Sequence, residues 1–352
     1  MKTLHLHIGS FKTGTTSIQN TFHNNRKNLN KLGFHYPGGK FNHHLSYFAT
    51  KAPTEEWPRS LKAKDKDKLS HIVDQYFSKL EDDLHADFEH QIISTEYLFI
   101  DKEEYIKNYL DYLKKFSLEI KIYVFVRNPE ELYKSIQQQI IKGRSYITAP
   151  QEFFYNFKNV IEVWQKYCPV KVLEFRPGVD SCETLCNAIG IDVNKLSKPD
   201  KFRNTSLSIQ QILLLEKLQV NLYQDKENQL KSFVNIVKEI NAPVPYPPKL
   251  KPEVQKFIQN KHRADLEWLK KNFGINFLKD YSNEISTCAI SNFKDGKAAI
   301  RDVYQVDNEQ SIDHYEALVI DTLIKKTVQD RSKSSILERI LKFILALKQR
   351  FK

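Results

Sequence analysis

The stretch Gly9-Ser-Phe-Lys-Thr-Gly-Thr-Thr16 comes directly after the short apolar run Thr3–Ile8 and opens a segment, Thr15 to about Lys31, that reads as a helix. Strand, glycine-bearing loop and helix in that order predict a phosphate cradle. Backbone N–H groups converge on an anion there, and the helix dipole adds partial positive charge. Working outward, Gln91–Ser94, Ile120–Val126 and Val170–Phe175 are further short apolar runs, as expected of buried parallel strands. Helical stretches separate them: Lys62–Phe88, Glu103–Phe116, Pro129–Lys142, Gln151–Tyr167 and Ser181–Ala188. This alternation predicts a three-layer α/β fold with a central parallel sheet flanked by helices. Beyond Asn204 strands are not expected, and Ile209–Leu222, Lys226–Ile240 and Pro252–Phe273 read as helices around a proline-rich turn at Ala242–Pro252.

The loop departs from the nucleotide-kinase pattern G-x-x-x-x-G-K-[ST] at one position. Gly9 and Gly14 have its spacing and Thr16 fills the Ser/Thr place, but Thr15 stands where the lysine belongs and the lysine is Lys12, inside the loop. A lysine there suits a donor whose transferred group lies close to the cradle. The loop and the strand–helix alternation together lead to an expected fold of the P-loop NTPase-like kind.

The segment His7-Ile-Gly-Ser-Phe-Lys-Thr-Gly-Thr-Thr-Ser-Ile-Gln19 resembles the 5′-phosphosulfate loop of the P-loop sulfotransferases, especially bacterial members acting on carbohydrates. A second segment, Val124-Phe-Val-Arg-Asn-Pro-Glu-Glu-Leu-Tyr-Lys-Ser135, is similar to their 3′-phosphate motif, with Arg127 at a strand end and Ser135 eight residues on. Asn128 suits the cap of the following helix, Pro129 its first turn, and Glu130 and Glu131 its dipole. Weaker similarities lie at Val170–Asp192, Lys201–Ser208, Asp265–Leu269 and Phe273–Phe277, so the resemblance covers roughly residues 1–280 and implies a nucleotide-binding domain there, with a C-terminal helical extension over 281–352. It implies 3′-phosphoadenosine-5′-phosphosulfate (PAPS) as donor, PAP as product and no metal. Gly9, Lys12, Thr13, Gly14, Thr15, Thr16, Arg127, Ser135 and Arg203 would hold the nucleotide, with Lys201 beside Arg203. The acceptor implied is a hydroxyl or amine of a carbohydrate in a bacterial surface polysaccharide or glycolipid.

Sulfuryl transfer calls for stabilisation of a leaving phosphate and for a base. Lys12 and the amides of Thr13–Thr16 fit the first need. For the second, Glu96 ends the strand-like Ile92-Ile-Ser-Thr-Glu96, at the carboxyl edge where open α/β sheets place ligands. His43 and His44, in Phe41-Asn-His-His-Leu45, are the rivals, and an extended backbone turns only one of them to the site, with His44 preferred. Trp57, Trp164 and Trp268 are expected in packing rather than stacked on a ligand.

Fifty-four Lys and Arg against 43 Asp and Glu give a net charge of +11, which predicts an anionic partner. No nucleic-acid-binding signature accompanies it, so specific nucleic-acid recognition is not expected. Hydrophobic residues at 41% supply a full core, and no run of eighteen apolar residues predicts a membrane span. Four cysteines are too few for a disulfide scaffold, and Cys182 and Cys186 are expected as reduced, partly buried thiols. The expected location is cytoplasmic. Ser334–Lys352 carries five cations, one acid and a wide apolar face, so it reads either as an interfacial helix on the inner membrane surface or as a helix docked on protein. The competing functional classes are a P-loop kinase and a non-enzymatic polyanion-binding protein.

Overall fold

Side chains of a strand alternate between faces, and the segment Thr3–His7 is buried on both, as the middle strand of a covered sheet must be. The computed structural model describes residues 2–62, 65–197, 206–223, 231–281 and 293–329. In chain order the elements are β1 (Thr3–His7), α1 (Thr15–Asn24), α2 (Arg26–Lys31), β2 (Phe34–His35), α3 (Arg59–Lys62), α4 (Lys66–His85), β3 (His90–Ser94), α5 (Glu103–Lys114) and β4 (Glu119–Val126). Then come α6 (Pro129–Ile140), β5 (Ile147–Thr148), α7 (Phe157–Gln165), β6 (Val170–Glu174), α8 (Ser181–Ile189), α9 (Ile209–Tyr223) and α10 (Lys231–Glu239). The last are α11 (Pro252–Lys261), α12 (Arg263–Phe273), β7 (Lys297–Ala298), α13 (Ile300–Val303) and α14 (Glu309–Gln329).

The chain divides into two compact units, one of Met1–Asn128, Asn156–Arg203 and Ala264–Phe277, the other of Pro129–Tyr155, Asn204–Arg263 and Leu278–Lys352. These interleave in sequence, so neither coincides with a division at residue 280. The first unit holds a five-stranded sheet in the order β2-β3-β1-β4-β6, with every pairing parallel. On one face Ile92, Tyr123, Phe125 and Leu173 pack with Ile18 and Phe22 of α1 and with Cys182, Leu185, Cys186 and Ile189 of α8. On the other face α7 covers β4 and β6 and is flanked by α5, burying Val160, Ile161 and Trp164. A fully buried Phe such as Phe22 or Phe125 contributes roughly 1.5–3 kcal/mol. The expected three-layer α/β architecture with a parallel sheet is present. In the second unit α9 packs on α10 and α14, and β5 pairs antiparallel with β7.

Several expectations need correction. The single helix from Thr15 to Lys31 is two, because Asn25 leaves helical geometry to bond elsewhere. Its amide donates to Thr21 O and Ser197 O and accepts from Ser197 N–H. The helix Pro252–Phe273 breaks at His262, whose ring spans Ile258 O and the N–H of Tyr155. Gln151–Tyr167 is helical as α7 only from Phe157, and Lys62–Phe88 as α4 from Lys66. A strand does occur beyond Asn204: β7, too short for periodicity to reveal. Within the helical extension expected over 281–352, α13 and α14 are helical, and Ser334–Lys352 lies outside the described residues.

Candidate functional site

Sheet order explains which residues meet. β1 lies between β3 and β4, with His7 level with Ser94 on one side and Tyr123 on the other. Two residues past His7 the chain reaches Gly9, and two past Ser94 it reaches Glu96. The loop continues the register with β4: Phe125 N–H donates to Gly9 O at 2.7 Å, and Ser10 N–H to Phe125 O at 3.2 Å. Arg127 follows two residues later, beside the middle of the loop.

The loop Gly9–Thr16 closes on itself. Thr13 Oγ1 donates to Ser10 O at 2.5 Å, and Thr15 Oγ1 lies 3.2 Å from the same carbonyl. Ser10, Thr13 and Thr15 are buried, while Lys12 and Thr16 are exposed. Gly9 and Gly14 both have positive φ. Neither can carry a side chain easily: a Cβ on Gly9 would stand 3.2 Å from Glu96 Cα, and one on Gly14 would stand 2.9 Å from Ser181 Cβ. Lys12 also has φ +61, a left-handed conformation that costs a residue with a Cβ roughly 1–2 kcal/mol. Strain of this kind concentrates at functional sites. Gly14 is the N-cap of α1, whose first turn holds no acidic residue, so the positive end of the helix dipole is not offset there.

Arg127 ties the strand end to this loop. Its guanidinium donates to Lys12 O at 2.6 Å, and its plane lies 4.6 Å from the centre of the Phe175 ring, just past β6. Sequence reasoning did not single out Phe175; the pairing of β6 with β4 places it there.

Glu96 is not the last residue of its strand, as expected, but the first of a one-turn 3₁₀ helix over Glu96–Leu98 capped by the Thr95 hydroxyl. It nevertheless reaches the loop. Burial raises the pKa of its carboxyl, while hydrogen bonding with Thr15 and the charge of Lys12 pull it back. Thr15 thus meets the base candidate from the position a kinase lysine would occupy, and that unusual threonine was the available sequence signal. Its single hydroxyl proton serves either Glu96 or Ser10 O.

The two histidines do separate, but not by alternation along an extended backbone: His43 (φ −110, ψ 33) caps a 3₁₀ helix that opens at His44 and runs to Thr50. His43 is fully buried, and burial lowers its pKa to about 4. His44 is half-buried, stacked on Tyr97 at 4.1 Å with Nδ1 3.1 Å from Thr95 Oγ1. Ser135 lies on α6 in the second unit. Lys201 and Arg203 lie outside the described residues. Trp164 is wholly buried, Trp57 donates to Ala52 O at 2.9 Å, and Trp268 sits edge-on to Phe273. Cys182 and Cys186 are buried free thiols 4.0 Å apart. Among the described residues no group of His, Cys, Asp or Glu could hold a metal ion, and no helix is long and apolar enough to cross a membrane. A cavity of about 230 Å³ in the second unit is lined by Ile209, Tyr246, Lys249, Val306, Asp307 and Ile312, among others. None of the site residues named above borders it.

Comparison with family models, with curated proteins and with solved structures gives no match.

Proposed function

We propose that the chain is a PAPS-dependent sulfotransferase of the P-loop type, moving a sulfuryl group to a hydroxyl or amine of a carbohydrate acceptor. The observation that carries this reading is the meeting of Lys12, Glu96 and Arg127 at one glycine-lined loop from three adjacent strand ends. Gly9 and Gly14 let the loop pack closely on Glu96 and Ser181, and a loop so held at the N-terminus of α1 suits the 5′-phosphate end of such a donor. PAPS supplies an activated sulfuryl group whose transfer leaves a phosphate. Lys12 and the N–H groups of Thr13–Thr16 are suited to offset the charge that builds on that phosphate. Glu96, with a raised carboxyl pKa, is suited to take the proton of the attacking hydroxyl or amine, and His44 is the alternative base. Arg127 holds Lys12 through its carbonyl, and the resemblance assigns Arg127 to the 3′-phosphate. The reading extends to a cytoplasmic protein that meets an anionic membrane surface through Ser334–Lys352.

Calorimetry with PAP and with ATP tests it. PAP is expected to bind and ATP to compete poorly, with Lys12→Ala weakening PAP. Preferential ATP binding would move the chain to the kinase class. Labelled PAPS offered to an oligosaccharide panel then identifies the acceptor by mass spectrometry.

A further inference from the structure

Strand β3 delivers Glu96 through Ser94 and Thr95, and polar side chains hold both residues. On its inner side β3 has β1. On its outer side β2 pairs only with His90 and Gln91, so among the described residues Ser94 has no strand neighbour there. His43 fills that place. The Ser94 N–H donates to His43 Nδ1 at 3.1 Å, and the His43 N–H donates to Ser94 O at 3.2 Å, the exchange an adjoining strand would make. The far side of the same imidazole is fixed by Nε2 donating to Pro37 O at 2.9 Å. Gln19 donates to Ser94 O at 3.1 Å, and Ser94 Oγ lies 2.8 Å from His7 Nδ1. One residue further, the Thr95 hydroxyl accepts from Tyr97 N–H at 3.3 Å and meets His44 Nδ1.

We propose that His43, assisted by His44 through Thr95, is a positioning residue that replaces the missing strand neighbour of Ser94 and so holds the Glu96 carboxyl against the phosphate loop. The inference rests on the reading of Glu96 as the acceptor's base. Its bonds require a neutral ring, since Nδ1 must accept from an N–H while Nε2 donates to a carbonyl. Burial keeps the ring neutral across physiological pH. The groups facing Glu96 itself are Lys12 and the Thr15 hydroxyl. If the strand end is released, the carboxyl gains water and loses the cause of its raised pKa.

The test is the titration of the Glu96 carboxyl in the full chain, followed by ¹³C NMR on carboxyl-labelled Glu and assigned from its absence in Glu96→Gln. In His43→Asn the side-chain oxygen replaces Nδ1 and keeps the Ser94 bond, whereas in His43→Gln the amide replaces Nε2 and keeps only the Pro37 bond. Wild type and His43→Asn are expected to share one raised pKa, and His43→Gln to fall by about half a unit or more towards the ordinary carboxylate value. Identical titrations in the Asn and Gln variants would overturn the proposal. If His43→Gln does not fold, His44→Phe carries the test, since it removes the bond to Thr95 and leaves the Thr95 cap on Tyr97 N–H in place; an unchanged Glu96 titration there would refute the clamp. Turnover separates this from the catalytic reading. A Glu96→Gln protein with wild-type PAPS turnover would remove the base but leave the clamp on its titration, whereas unresponsive titration would remove only the clamp.

Discussion

Replacing Gly14 by alanine should destabilise the first unit through two separable causes. The first is local: Gly14 has φ +82, a conformation that costs a side-chain-bearing residue roughly 1–2 kcal/mol. The second is tertiary. The new methyl would lie 2.5 Å from Ser181 Oγ and 2.9 Å from Ser181 Cβ. Rotating the hydroxyl relieves the first contact, but the second yields only if α8 moves off α1, and such overpacking costs roughly 1–3 kcal/mol. The sum, about 2–5 kcal/mol, is a large part of the roughly 5–15 kcal/mol that holds a domain folded. Ser181→Gly removes both clashing atoms while leaving the backbone cost at position 14. The double variant should therefore recover about 1–3 kcal/mol relative to the sum of the single changes. Urea unfolding read by tryptophan fluorescence suits the measurement, because Trp57, Trp164 and Trp268, the chain's three tryptophans, all belong to the first unit. Additivity within about 0.5 kcal/mol would show that Gly14 and Ser181 do not touch, and would refute the close approach of α1 and α8 at the cradle.

Acid should weaken the first unit through its buried histidines. Burial lowers His7 to about 3 and His43 to about 4 from 6.5. Their stabilising share is complete above pH 6.5 and is lost as pH falls towards those values, by up to about 3 kcal/mol each near pH 4. Urea midpoints of wild type and His43→Asn between pH 7.5 and 4.5 check this: the variant should show the shallower loss, and equal slopes would rule His43 out. Arg127→Lys keeps the charge but loses the planar donor to Lys12 O and the stack on Phe175, so PAP affinity should drop about 10-fold or more by calorimetry. Unchanged affinity would detach the guanidinium from the loop. Reversing Lys342, Lys348 and Arg350 to Glu in the full chain should abolish sedimentation with anionic vesicles, since each basic residue at such a surface is worth about 1 kcal/mol. Equal sedimentation would exclude a membrane role for the segment.

Much of the architecture was legible in local pattern. The four longer sheet strands were found within a residue of their ends, because apolar runs of that length, bounded by polar helices, have few other uses. Gly9, Lys12 and Gly14 announced the loop because spacing alone encodes a turn from strand to helix. The breaks at Asn25 and His262 were not legible, since their causes are bonds to Ser197 and Tyr155, far along the chain. The short strands β2, β5 and β7 carry too few residues for any period.

The sequence by itself determined an α/β chain with a glycine-bearing turn from its first strand to its first helix, since hydrophobic period and glycine placement act over neighbouring residues. Only the tertiary structure decided that β1 lies between β3 and β4, and with it that Glu96 and Arg127 flank a loop that Arg127 bonds across 115 residues of chain. It also decided that His43 bonds the outer edge of β3 at Ser94 while His44 stacks on Tyr97. Strand order follows from burying both faces of the sheet at once, a sum over surfaces distant in sequence, and no local pattern contains that sum.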